Sequence, residues 1–266
     1  MNRITLLLAD ARLVLAVLLT CFTAWTPAQA FLLIKHEGAT DPLTEGFPAA
    51  SSAFGQTFTT NALTPDGSTG FNAWEIKSDS PYVGGGGLSS FAVYIHNWSP
   101  SELASISTLP RLVQMRLRVV DPNDVVDSGM QAGWSFGGKE YYVGFGSAAN
   151  GDPIVGLGST FTSYPQQYTV TGAAGQYVLY ELKDYDADGT FRLFANGFDT
   201  GLNTSGASSS QNRVFFGDGD ASAGAFGHAN WNLLLIDVPE PTSAALAGLG
   251  LLVLLRKRRS TVFGGR

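Results

Sequence analysis

The chain has 266 residues, with 16 lysines and arginines against 22 aspartates and glutamates, a formal net charge of −6, and one cysteine. A cysteine count of one excludes an internal disulfide framework and any multi-thiolate metal site. The basic residues are concentrated at the two ends: the span Phe31 to Asp237 holds nine of them against twenty acids, a net charge of −11, which excludes nucleic acid as an expected partner.

Residues 1–30 read as a secretory signal. They have a weakly basic start (Arg3, Arg12), an apolar stretch from Leu13 to Phe22, and the small-x-small ending Ala28-Gln29-Ala30, with signal peptidase as the expected processing partner. Cys21 closes the apolar stretch but follows Thr20, where a lipid-modified cysteine wants Gly, Ala or Ser. Cleavage after Ala30 would leave a mature chain without cysteine.

Residues 31–237 are long enough for one sizeable core and short for two. Polarity alternates with period two over Phe91–His96, Leu112–Val120, Tyr141–Phe145, Gln176–Lys183, Thr190–Ala195, Arg213–Gly217 and Trp231–Val238, the pattern of strands with one face in a core. In the clearest run Val113, Met115, Leu117 and Val119 point inward, and Gln114, Arg116 and Arg118 outward. Gly, Asn, Asp and Ser clusters separate these runs, which predicts an all-β, antiparallel two-sheet sandwich. One short helix is expected at Pro100–Ile106, with Ser99 as cap and Glu102 completing a capping box.

The segments Asp41-Pro42-Leu43-Thr44-Glu45-Gly46-Phe47, Ala73-Trp74-Glu75-Ile76 and the hairpin Tyr177 to Gly197 resemble the concanavalin A-like, laminin G-like jelly-roll sandwiches. Among binding readings sugar recognition is the natural one, because aromatic rings stack on pyranose faces while nearby Asn, Asp and Gly backbone groups hydrogen-bond the hydroxyls. Trp98, Trp134, Tyr142 and Trp231 are the candidate rings for stacking on pyranose faces, with Tyr142 expected to face outward opposite Tyr141 and Val143; in a sandwich such rings also serve as core. Asp184, Asp186 and Asp188 alternate as in the first half of a calcium loop, so Ca2+ is a candidate ligand; the position of the closing glutamate holds Ala195, and Asp188-Gly189 also suits a plain hairpin turn. No Glu-x-Asp-x-x-Glu run, Gly-x-Ser-x-Gly or His-Glu-x-x-His occurs, and His36, His96 and His228 are scattered, which points away from catalysis.

At the C-terminus Val238-Pro239-Glu240-Pro241 precedes fourteen uncharged residues, Thr242 to Leu255, and then Arg256-Lys257-Arg258-Arg259. As a helix the apolar run reaches about 21 Å, short of the roughly 30 Å hydrocarbon core. The basic cluster, at the head of a tail running from 256 to 266, acts as the membrane stop and stays cytoplasmic. The prolines hold the preceding strip extended and open to a processing enzyme.

This tripartite segment, residues 238–266, resembles the PEP-CTERM sorting signal. The resemblance implies an exosortase-type processing enzyme as partner and passage through the inner membrane to the cell surface or extracellular matrix. The resulting expectation is a non-catalytic exported protein associated with exopolysaccharide in a biofilm matrix. A glycoside hydrolase or lyase acting on that polysaccharide, and a calcium-dependent adhesin, are the alternatives.

Overall fold

The computed structural model describes residues 31–47, 49–51, 58–78, 92–105, 112–120, 130–158, 163–186, 188–218 and 227–238. The expected signal helix with Ala28 and Ala30, the sorting motif beyond Val238, the membrane segment 242–255 and the basic tail lie outside these residues. Among the described residues no helix is long and apolar enough to cross a membrane.

Among the described residues sixteen strands follow one another: β1 (Phe31–Glu37), β2 (Ala49–Ser51), β3 (Phe58–Leu63), β4 (Ala73–Ser78), β5 (Ala92–Asn97), β6 (Leu112–Val119), β7 (Met130–Phe136), β8 (Lys139–Ser147), β9 (Pro153–Gly158), β10 (Gln166–Thr169), β11 (Val178–Lys183), β12 (Phe191–Ala195), β13 (Phe198–Thr204), β14 (Ala207–Ser208), β15 (Arg213–Asp218) and β16 (His228–Val238). They form two eight-stranded antiparallel sheets. Sheet A runs β13-β12-β11-β6-β16-β4-β3, with β1 also on β16; sheet B runs β10-β9-β8-β7-β15-β5-β2, with β14 on β8. The two-sheet sandwich predicted from the alternating runs is therefore the fold.

The period-two runs fix which side chains meet between the sheets. On β6 every second residue is buried, so Val113, Met115, Leu117 and Val119 enter the core and Gln114, Arg116 and Arg118 do not. Val178, Tyr180 and Leu182 of β11 and Phe191, Leu193 and Ala195 of β12 join them. From sheet B come Trp134, Tyr141, Val143, Phe145, Val214 and Phe216. Trp134 lies flat on Tyr141, with centroids 5.2 Å apart, and takes Phe191 edge-on at 5.5 Å. Such pairs add about 0.5–1.5 kcal/mol each beyond simple burial.

The one α-helix among the described residues, α1 (Pro100–Ser105), begins with the expected capping box: Ser99 N donates to Glu102 Oε2 at 2.6 Å and Glu102 N to Ser99 Oγ at 3.3 Å. The segment 41–47 forms a 3-10 turn held from two sides. His36 Nδ1 pairs with Glu45 Oε2 at 2.5 Å, and His96 Nδ1 donates to Gly46 O at 2.6 Å. Phe47 closes it, fully buried edge-on against Phe216.

Candidate functional site

The outer face of sheet A brings rings and hydrogen-bonding side chains together. Alternation on three neighbouring strands produces it: the residues between the core-facing ones, Gln114 and Arg116 on β6, Leu179, Glu181 and Lys183 on β11 and Phe194 on β12, are all half-buried. Gln114 Nε2 donates to Glu181 Oε1 at 2.9 Å, and Lys183 Nζ donates to Glu181 Oε2 at 3.0 Å. Burial pushes the Glu181 carboxyl up, but these donors outweigh it and hold it below the usual carboxylate range. Lys183 Nζ also lies 4.7 Å from the centre of the Phe194 ring, and Tyr185, 59 % exposed, meets Phe194 edge-on at 6.2 Å.

A second pair of rings occupies the other end of the face. Phe71 and Tyr177 lie 4.9 Å apart, the Arg116 guanidinium sits 5.2 Å over Phe71, and Arg116 Nη1 donates to Asn232 Oδ1 at 3.2 Å. Four residues of extended chain, about 13 Å, separate Tyr177 from Glu181.

Phe71 is positioned by Asp66, which sits in the connection between β3 and β4 with only 8 % of its side chain exposed. The carboxylate accepts from Arg118 Nε at 2.8 Å and Nη2 at 2.7 Å, from the Tyr177 hydroxyl at 2.7 Å and from Asn230 Nδ2 at 2.8 Å. The Asp66 backbone N–H donates to Phe71 O at 2.8 Å, which ties the ring-bearing turn to this hub. Desolvation pushes the Asp66 carboxyl up, and the donors from Arg118, Tyr177 and Asn230 bring it below its ordinary value. Desolvation and the adjacent carboxylate push the Tyr177 hydroxyl well up, so it stays a donor.

The four rings singled out from the sequence for sugar stacking lie elsewhere. Trp98, Trp134 and Trp231 are 6 %, 1 % and 0 % exposed and pack in the core. Trp98 Nε1 donates to Ser135 O at 2.9 Å, and Trp231 meets Phe145 and Phe216 edge-on. Tyr142 does leave the core on the side opposite Tyr141, but it is 6 % exposed, packed with Val93, Tyr164 and Phe215 in a second apolar layer on sheet B. Stacking on a pyranose needs an open ring face, so the expectation for these four is corrected: they are packing residues.

The three aspartates of the proposed calcium loop also divide their work. Asp184 is 2 % exposed and its Oδ2 accepts from Gly189 N at 3.0 Å; Asp188 Oδ1 accepts from Thr190 N at 2.7 Å; Asp186 is exposed. Two carboxylates thus shape the hairpin turn. Asp184 Oδ1 is buried without a partner, a single oxygen where calcium takes six to eight. Among the described residues no three His, Cys, Asp or Glu side chains converge as metal ligands. The histidines pair separately, with Glu45, Glu102 and Glu75.

Comparison with known proteins concerns the body first: its two-sheet β-sandwich is similar in fold to a carbohydrate esterase of the Shiga toxin-encoding bacteriophage phi24B. That structure superposes with a TM-score of 0.54 at 10 % identity, covering 79 % of this chain and 100 % of the other. A Bacillus licheniformis β-glucanase matches with a TM-score of 0.32 at 12 % identity, covering 67 % of this chain and 78 % of its own. The CBM40 of a Ruminococcus gnavus sialidase, bound to α2,3 sialyllactose, matches with a TM-score of 0.36 at 10 % identity, covering 77 % and 91 %. No curated protein sequence matches the chain. The C-terminal segment is more specific: residues 237–259 match the PEP-CTERM protein-sorting motif. The chain is thus an exported protein bearing a sorting motif that directs it to an exosortase-type enzyme.

Proposed function

We propose that this exported sandwich is a non-catalytic protein that associates with extracellular polysaccharide through the outer face of sheet A. The observation that carries the reading is the pairing of accessible rings with polar side chains there: Tyr185 and Phe194 beside Lys183 and Glu181, and Phe71 beside Arg116. Rings supply stacking area for sugar faces, and the amide, guanidinium and carboxylate groups match hydroxyls. A glycosidase acid must keep its proton near neutral pH, whereas Asp66 and Glu181 are both held ionised by their donors. Their environment supports binding over bond cleavage.

The test is retention of the full chain, in mild detergent, on polysaccharide from the source organism. Tyr185→Ala and Phe194→Ala are expected to weaken retention about three- to tenfold each, the equivalent of about 0.5–1.5 kcal/mol per ring contact. Tyr142→Phe serves as the buried control and leaves retention unchanged. Absence of retention by the unaltered chain overturns the reading.

The sorting segment makes a separate prediction. With Pro239 and Pro241 both changed to Ala, the strip before the apolar run can become helical. Full-mass precursor is then expected to accumulate in the membrane fraction, read by immunoblot.

A further inference from the structure

The matched sorting motif starts at residue 237, and β16 ends at Val238. The first two residues of the motif are therefore the last two of a strand, and only Pro239, Glu240 and Pro241 separate them from the apolar run that begins at Thr242. β16 is also an inner strand of sheet A. On one side Leu235, Ile236 and Asp237 pair with Gln114, Val113 and Leu112 of β6. On the other, β4 takes His228 to Trp231, and β1 also pairs with β16, with Gly38 N donating to Asn232 O at 2.7 Å just beyond the end of β1.

An extended peptide is commonly read by strand addition, in which the partner uses the same backbone N–H and C=O groups that a sheet uses. While Asp237 is paired with Leu112, that edge of the motif is taken by the sheet, and Val238 continues the same strand. The grip on the strand differs along its length. Leu234 and Ile236, 1 % and 0 % exposed, seat it in the core. Asp237 has the apolar Leu112 opposite it, its Oδ1 is buried with no hydrogen-bond partner, and burial pushes its carboxyl up. Lifting Asp237 off β6 returns that oxygen to water and recovers the solvation that folding removed. Strand ends of this kind open locally at far lower free energy than the body unfolds.

We infer that Asp237 and Val238 form a release strap: they detach from β6 while Ile236 stays seated, and the processing enzyme takes the sorting motif from this opened state. The folded body thereby sets the rate at which its own motif is presented. The inference rests on processing at that motif and is independent of the polysaccharide reading.

Locking the strap tests it. Leu112→Cys together with Asp237→Cys sets two thiols at facing positions of the ladder, within the separation that a disulfide spans. Cleavage after Ala30 would remove Cys21 and leave no other thiol. The full chain is produced in the source organism, and its loss of mass is followed by pulse-chase and immunoprecipitation, with and without a reductant in the medium. The bonded pair is expected to be shortened about tenfold more slowly than the same chain reduced, and a Gly-Ser spacer inserted between Val238 and Pro239 restores the rate. The spacer alone, in the otherwise unaltered chain, is expected to raise the rate about threefold, which decides the matter even where the double variant folds poorly. A bonded pair shortened as fast as the reduced one, or a spacer that leaves the rate of the unaltered chain unchanged, overturns the inference while the sorting reading stands. An unaltered chain that is never shortened removes both.

Discussion

Asp66→Ala is expected to destabilise the sandwich by about 3 kcal/mol, near the lower end for breaking a buried pair because Arg118 keeps some contact with water. For a body of this size that is a fall in melting midpoint of roughly 6–12 °C. Removing the carboxylate strands three sets of donors at once, from Arg118, Tyr177 and Asn230. Asp66→Asn keeps an acceptor without the charge and should lie between the two. The pH dependence has a definite sign. The folded carboxyl titrates below its ordinary value of 3.8, so its stabilisation is fully present above that pH and is lost as pH falls through the lower, folded value. Denaturant curves for the parent and Asp66→Asn should therefore be well separated at pH 7 and draw together below pH 3.8. A gap that persists unchanged in acid would assign the effect to shape rather than charge. Because the hub fixes the turn bearing Phe71, Asp66→Ala should also weaken polysaccharide retention.

That hub marks the boundary of what the sequence discloses. The strands on either side of the core are legible where burial on one face imposes period two, and β6, β11 and β12 show it without a break, whereas the alternation expected over Arg213–Gly217 is absent from β15, buried at every residue after Arg213, and β16 shifts register between Trp231 and Leu233. β7 hides the signal, since all seven of its residues are buried: Gln131, Gly133 and Ser135 lie beneath a second layer instead of facing water. β3 and β13 hide it for the opposite reason, being largely exposed margins with little apolar content. The site divides in the same way. Phe194 was readable, because Phe191, Leu193 and Ala195 take the core positions and leave it outside. Phe71 was not, because its turn is held through partners of Asp66 that are 52, 111 and 164 residues away along the chain. Tryptophans attract attention as sugar platforms, but they also bury the most apolar area, and this core takes Trp98, Trp134 and Trp231.

The second layer on sheet B leads to the other large expected effect, in Gly133→Ala. In the ladder Gly133 stands between Phe215 of β15 and Tyr142 of β8, and the Phe215 ring lies directly over its backbone. A Cβ there would come within 2.4 Å of Phe215 Cζ, 2.5 Å of Cε1 and 2.9 Å of the Tyr141 carbonyl oxygen. The ring is confined by Tyr142, with centroids 5.9 Å apart, and by the Arg213 guanidinium 5.2 Å from its centre. Rotation of Phe215 cannot relieve the contact with the Tyr141 backbone. Overpacking of this kind costs about 1–3 kcal/mol, and the backbone clash places Gly133→Ala towards the upper figure. In a strand with room, the same change would stabilise by about 0.4–1 kcal/mol through the unfolded chain. The sign alone therefore discriminates: a melting midpoint equal to or above the parent would mean that Phe215 does not cover Gly133. Repeating the substitution in a Phe215→Leu background should recover part of the loss, leaving the share due to the Tyr141 carbonyl. The coupling between the two sites then measures how tightly the outer layer of sheet B is packed, and hence why Tyr142 serves as a packing residue instead of a sugar platform.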